Sequence, residues 1–311
     1  MNKDRNKFGR VAVLMGGLSS EREISLQSGQ KVLEALLQKG IDAFGIDVGH
    51  DIAERLIEAK PDRAFIALHG TYGEDGKIQG LLEIMRIPYT GSDVISSALA
   101  MDKEKSKLIW ETYKLPVLPS LVVSTVTTAK FKREIKNFID NFGFSLCVKP
   151  VNSGSSCGVT KVANKKHLST AYKEAFKYDK DIIIEPWIEG REFTVVIIGN
   201  KVFPPIEIIP KQSFYDYKAK YLVETTQFIC PCKLSAKQKN KLQDLALSAF
   251  KSLGCRHFGR ADFIMDKKGK PWLLEINTIP GLTGHSLVPR AAAAVGIGFS
   301  DLMCDILEFT L

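Results

Sequence analysis

The sequence predicts an α/β protein, with an N-terminal domain on a parallel, Rossmann-like sheet and two α+β domains after it. Three observations carry that expectation. Residues 8–68 alternate apolar strand-like runs with amphipathic helical stretches, the order that builds a parallel sheet with crossover helices. After Leu115-Pro116 the pattern changes to short strands, loops and hairpins. The length, 311 residues, exceeds one domain of about 150 and suits two or three.

In chain order, Phe8 to Met15 reads as a buried strand broken by Gly16-Gly17. Ser20-Glu21-Arg22-Glu23 has a capping-box pattern, and from Ile24 a helix follows with Val32, Leu33, Leu36 and Leu37 as its apolar stripe. Gly40 suits the turn after it. Ile41–Val48 and Ala64–Leu68 are the next strands, with a weaker helix reaching Lys60 between them. One helix is expected over 96–113, stopped by Leu115-Pro116. Short strands follow at 121–124, 145–149 and 159–162, a helix at 166–178, and a strand at 181–185. Gly199-Asn200 is a two-residue turn signal between strands 192–198 and 201–209. Residues 210–229 have no clean period and read as a long functional loop. A helix over 237–253, a hairpin of 260–265 with 271–277, a Gly-rich loop at 278–285 and a short helix complete the chain.

Composition excludes several classes. With 45% hydrophobic and 25% charged residues the chain has enough apolar surface for a core, so global disorder is out. No apolar run approaches the roughly 18–20 residues that span a bilayer, and Val11–Met15 is too short for a signal-peptide core. A cytoplasmic protein without a membrane partner is expected. The net charge is +8, from 43 Lys and Arg against 35 Asp and Glu, but the bases are dispersed and often beside acids. That dispersion argues against nucleic acid as a partner. Only Cys230-Pro231-Cys232 is a close cysteine pair, with no second pair or His at zinc spacing, so reduced thiols are expected.

The hairpin near the C-terminus carries the chemistry. If its loop is 267–270, Asp262 lies opposite Glu275 and Arg260 opposite Asn277. Strand side chains alternate, so all four share one face. Two carboxylates and a carboxamide form an all-oxygen set that suits Mg²⁺. The plainer alternative is an exposed face whose Arg260 offsets two acids. Lys149 stands in an apolar strand, where burial disfavours it without an anionic partner, and Lys103 begins a helix. The Ser-rich loop 152–158 offers backbone N–H groups for phosphates, though it is not a P-loop and could equally be a plain linker.

These residues sit within longer motifs. Gly16-Gly17-Leu18-Ser19-Ser20-Glu21-Arg22-Glu23-Ile24-Ser25, Ala67-Leu68-His69-Gly70, Met101-Asp102-Lys103, Val148-Lys149-Pro150, the stretch from Phe214 to Tyr221 and that from Glu275 to Leu287 resemble the D-alanine–D-alanine ligases of the ATP-grasp superfamily. The match runs nearly end to end. The resemblance implies an ATP-grasp fold with an N-terminal substrate-binding domain at 1–98, a central lid domain at 99–187 and a catalytic domain at 188–311. It implies ATP and two Mg²⁺ ions, with Mn²⁺ as a substitute, and D-alanine as substrate. Lys103, Lys149 and Lys220 would hold phosphates, Glu185 and Trp187 the adenine, and Glu192 the ribose. Asp262, Glu275 and Asn277 would bind the metal ions. Glu21 would hold the first ammonium, with His69 nearby, and Arg260 with the Gly281 N–H would stabilise the oxyanion. Ser286 and Leu287 would meet the second carboxylate, and Glu21, Ser155 and Tyr221 would bridge the closed site. A homodimer is the family's common assembly.

The implied reaction passes through a D-alanyl phosphate to D-alanyl-D-alanine, ADP and phosphate, for peptidoglycan precursors. Departures from the family pattern are Pro186 in the hinge, Cys157 in the lid and Ala261 between Arg260 and Asp262. Ligases that make D-alanyl-D-lactate or D-alanyl-D-serine, and a non-catalytic nucleotide sensor, are the alternatives. Tyr221 favours the dipeptide over the D-lactate product.

Overall fold

Val11–Gly16 forms β1, and all six of its residues are buried. A strand covered on both faces belongs in the middle of a parallel sheet. Accordingly β1 lies between β2 (Ala43–Val48) and β3 (Arg63–Ile66), parallel to both. Helices α1 (Arg22–Gln38) and α2 (Ile52–Ala59) make the crossovers. The structure, a computed structural model, describes residues 5–154, 157–210, 226–284 and 286–311. Ser155, Lys220 and Tyr221, and most of the long loop expected at 210–229, lie outside the described residues.

Two local expectations for this domain change. Phe8 is not in the strand: Arg5–Phe8 is a 3-10 turn, and Gly9 at φ +61 breaks the extended backbone before β1. Nor does Ser20 cap the first helix. Glu21 is the residue before α1, its carboxylate makes no capping bond, and its N–H donates instead to Ser19 Oγ at 3.1 Å.

Three helices follow β3: α3 (Lys77–Ile84), α4 (Val94–Met101) and α5 (Lys103–Thr112). The single helix expected over 96–113 is therefore two. Asp102, at φ −84° and ψ 103°, ends α4, and its side chain caps α5 by accepting the Lys105 N–H at 2.9 Å. That break sets Lys103 at the first position of α5.

The second sheet is antiparallel, in the order β4 (Leu121–Val123), β7 (Ile182–Pro186), β5 (Leu146–Pro150), β6 (Thr160–Val162). Helices α6 (Ala129–Phe142) and α7 (Leu168–Ala175) cover it, and its core holds Phe131, Phe138, Val148, Leu168 and Ile184. The third sheet runs β11 (Gln227–Ile229), β10 (Ile206–Ile209), β8 (Gly190–Ile198), β12 (Phe258–Asp266), β13 (Pro271–Asn277), with β9 (Lys201–Val202) also on β8. The strand expected over 201–209 is split, because Pro204 and Pro205 offer no N–H to a ladder. Helices α8 (Ala236–Ser252), α9 (Leu287–Ala293) and α10 (Phe299–Glu308) complete the chain.

The cores are distributed unevenly. Val11, Val13, Val32 and Leu36 of the first sheet and α1 pack in one cluster with Val196, Ile206, Phe258, Val288 and Leu302. Trp110 of α5 joins Phe193, Phe250 and Phe263 on the other face of the third sheet. Among the described residues, the buried core of the second sheet is made of residues 123–184 alone. Among the described residues no helix is long and apolar enough to cross a membrane.

Candidate active site

A cleft of ≈ 1330 Å³ opens between the three sheets. Its floor is the β12–β13 hairpin, where Arg260 pairs with Asn277 and Asp262 with Glu275. This is the register expected from the loop, and it sets four polar side chains on one face. Beyond Asp262 the register shifts by one residue at a bulge, with Phe263 opposite Leu273. The pairs on the turn side, such as Met265 with Pro271, are one residue out of the expected register, and the bulge restores it at the four polar positions.

Asp262 is 8% exposed and heavily partnered. Arg260 grips it with two parallel bonds, Nε to Oδ1 and Nη2 to Oδ2, both 2.8 Å. Thr194 of β8 donates to Oδ1 at 2.6 Å, and Asn277 Nδ2 donates to Oδ2 at 3.0 Å. Glu275 faces Lys103 Nζ at 3.5 Å, and Lys103 also donates to the Ser153 carbonyl at 2.7 Å. Among the described residues no three His, Cys, Asp or Glu side chains gather into a metal-binding group. The hairpin set, two carboxylates and a carboxamide, is instead the donor chemistry of a hard divalent cation. It fits Mg²⁺, because asparagine already turns its N–H to Asp262 and so leaves its carbonyl oxygen for a cation.

On the opposite wall, Glu185 is 3% exposed and sits between two ammoniums. Lys149 Nζ is 2.6 Å from Oε2, and Lys107 Nζ bonds Oε1. Burial pushes the Glu185 carboxyl up, but Lys149 and Lys107 more than reverse this and hold it below its ordinary value. Burial likewise opposes the Lys149 charge, and Glu185 outweighs it, so its pKa is raised. Lys107 moves the other way: burial lowers its pKa, and the nearby Lys149 charge adds to that against Glu185. One carboxylate thus sits between two buried ammoniums, and of the three groups Lys149 and Glu185 line the cleft. Trp187 and Glu192 line the same end, with Lys161 Nζ 4.9 Å above the Trp187 ring.

The first sheet supplies Glu21 and His69, 7% and 4% exposed. A β-carbon at Gly70 would stand 3.2 Å from Glu21 Oε1, and one at Gly154 3.3 Å from it. Both glycines make room for that carboxylate, which thus stands against the Ser-rich loop. His69 Nδ1 lies 3.1 Å from the Ile279 carbonyl and Nε2 3.0 Å from Ser28 Oγ. In the loop 278–286, Ser286 Oγ accepts the Thr283 N–H at 3.0 Å and lies 3.0 Å from where a Gly281 β-carbon would be. Leu287 begins α9 on the cleft wall. All the expected site residues within the described residues therefore converge on one cleft. Sequence reasoning missed Lys107, Thr194 and Ser28. Thr194 lies opposite Asp262 in the β8–β12 ladder, a relation readable only once that register is known. Nothing local to Lys107 or Ser28 signals a partner tens of residues away.

The profile of the D-ala D-ala ligase C-terminus matches residues 109–308, and that of the D-ala D-ala ligase N-terminus matches residues 50–92. The chain belongs to the D-alanine–D-alanine ligase family. Its curated relatives in that family include the D-alanine–D-alanine ligase of Pseudomonas fluorescens, 49% identical over 96% of this chain and 91% of its own. D-alanine–D-alanine ligase B of Pseudomonas syringae pv. tomato is 50% identical over 96% and 92%. The ligase of Bacillus anthracis, solved in complex with ATP, superposes with a TM-score of 0.85 at 32% identity, covering 97% of both chains. VanG D-Ala:D-Ser ligase from Enterococcus faecalis superposes at 0.83 with 29% identity, over 97% and 99%. The ATP-grasp architecture expected of the D-alanine–D-alanine ligase family is the one this chain adopts.

Proposed function

We propose that this chain joins two D-alanines into D-alanyl-D-alanine, converting ATP to ADP and phosphate. The observation that carries this reading is the Arg260–Asp262–Glu275–Asn277 face gathered in one cleft with Lys149 and with Lys103, whose Nζ is 3.5 Å from Glu275. A cleft that combines oxygen donors with ammoniums suits a metal–polyphosphate substrate. Asp262, Glu275 and Asn277 would hold two Mg²⁺ ions, which neutralise phosphate charge when bound.

The side chains account for the rest. Lys103, Lys149 and Lys220 hold phosphate oxygens, while Glu185, Trp187 and Glu192 receive the nucleoside. Glu21 pairs with the ammonium of the first D-alanine beside His69. One carboxylate oxygen of that substrate attacks the γ-phosphorus and ADP departs, leaving an acyl phosphate. The neutral amine of the second D-alanine attacks the acyl carbon. Arg260 and the Gly281 N–H stabilise the oxyanion that develops there. Phosphate leaves with the acyl oxygen's electrons, and the amine nitrogen gives up a proton. Ser286 and Leu287 hold the second carboxylate in place. An acyl phosphate must be kept from water, and the Glu21–Ser155–Tyr221 bridge would shut the cleft. Residues 1–98, 99–187 and 188–311 serve as substrate-binding, lid and catalytic domains in this reading, which includes a cytoplasmic homodimer supplying peptidoglycan precursors.

The likeness to a D-Ala:D-Ser ligase favours D-serine as a second acceptor to compare. The test supplies Mg-ATP with D-alanine alone, with D-serine or D-lactate added, and with L-alanine as control. D-alanine alone is expected to give one ADP and one dipeptide per turnover, identified by mass. ADP formed only when another acceptor is added would replace the dipeptide reading.

A further inference from the structure

We infer that Ser28 is a positioning residue for the ligation step, acting through His69 on the loop that carries Gly281. The inference rests on the proposed ligase reaction for its function, while its geometry stands apart from it. Ser28 and His69 are both buried, at 0% and 4% exposure, so their polar atoms must be satisfied within the protein. The Glu74 carboxylate lies 3.7 Å from His69 Nδ1, on the side where only acceptors face the ring. Three contacts join them to the loop. His69 Nδ1 is 3.1 Å from the Ile279 carbonyl, His69 Nε2 is 3.0 Å from Ser28 Oγ, and the Leu282 N–H donates to Ser28 Oγ at 3.4 Å. Ser19 Oγ further fixes the His69 backbone by donating to its carbonyl at 2.7 Å.

Proton bookkeeping gives the network a direction. The Ile279 carbonyl only accepts, so Nδ1 must carry a hydrogen. In the neutral imidazole Nε2 is then an acceptor. The Ser28 hydroxyl donates to it and takes the Leu282 N–H on its lone pair. Every atom in the ring is satisfied in this arrangement. The opposite tautomer would set the Nδ1 lone pair against the carbonyl oxygen at 3.1 Å in a buried place. The Ile279 carbonyl thus selects the tautomer, and Ser28 completes it by donating to Nε2 while itself tying down Leu282. Gly281, whose N–H faces the reacting carbonyl in the proposed mechanism, lies between those two fixed points.

Two measurements test this. Nitrogen-15 labelling of the five histidines of the full chain, with His69 assigned by its loss in His69→Gln, reads the ring tautomer directly. The Nδ1–H form is expected in the wild type, and an Nε2–H form overturns the inference whatever the enzyme's activity. Ser28→Ala is expected to lower kcat on the order of tenfold, since the donor it displaces is one step removed from the reacting atoms. The KM for ATP should stay within twofold, and Ser28→Thr, which keeps the hydroxyl, should restore kcat in part. A kcat for Ser28→Ala within twofold of wild type, or a parallel rise in the KM for ATP, would remove the positioning role. A wild type that makes no dipeptide at all would fail the ligase reading and leave the tautomer result standing.

Discussion

Arg260→Met is expected to lower kcat about 10²–10³-fold, the usual cost of losing one oxyanion donor, while tightening the binding of a divalent ion to the enzyme without nucleotide. The two effects have one cause. The guanidinium lies flat against Asp262 with both bonds at 2.8 Å, so it occupies the carboxylate that the proposed metal site needs. Removing it takes away the positive charge bonded to Asp262, and a divalent cation can then supply that charge. Steady-state rates at saturating Mg-ATP give the first readout. Titration with Mn²⁺ alone, followed by the fraction of free ion, gives the second. A kcat that recovers fully when metal saturates would mean Arg260 only balances charge.

Glu185→Leu is expected to destabilise the chain by about 3–5 kcal/mol, because Lys107 and Lys149 are left buried and facing each other. Adding Lys107→Met should recover part of the loss, since a lone Lys149 is cheaper to accommodate than a buried like-charge pair. The acid limb of the stability curve carries the same signature. Burial raises the Glu185 carboxyl and the two ammoniums more than reverse it, so its folded pKa lies below the ordinary 4.5. On acidification the unfolded chain takes up this proton first. The contribution is therefore present above about pH 4.5 and is lost as pH falls through the folded value. Urea midpoints of wild type and variant between pH 7 and pH 3 should converge toward the acid end. Parallel midpoints would assign the carboxylate no such role.

The parts of the site read correctly from sequence were those governed by a short period. Arg260, Asp262, Glu275 and Asn277 share a face because strands repeat every two residues, and a bulge brings their pairing to the count expected of a 267–270 loop. The bulge beyond Asp262 was invisible, since loop length does not specify where an extra residue is absorbed. Helices α3 and α6 were missed. Lys77–Ile84 follows a glycine-rich motif that drew attention to chemistry, and Ala129–Phe142 carries so many charges that its stripe of Phe131, Ile135 and Phe138 is diluted. Asp102 escaped notice as a break because one residue both ends a helix and caps the next. Lys107 is 78 residues from Glu185, and no local pattern announces a partner at that distance.

The private core of the second sheet makes the chain two cooperative units rather than one or three. The first and third sheets share apolar residues and must melt together, whereas the sheet of β4–β7 can open while the remainder stays folded. Native-state hydrogen exchange should accordingly resolve two opening free energies, the smaller in residues 121–186 and not in 11–66; a single common value would contradict it. Heat or a stray mutation would then cost this protein the proposed grip of Lys149 and Glu185 on a nucleotide well before it cost the protein its shape.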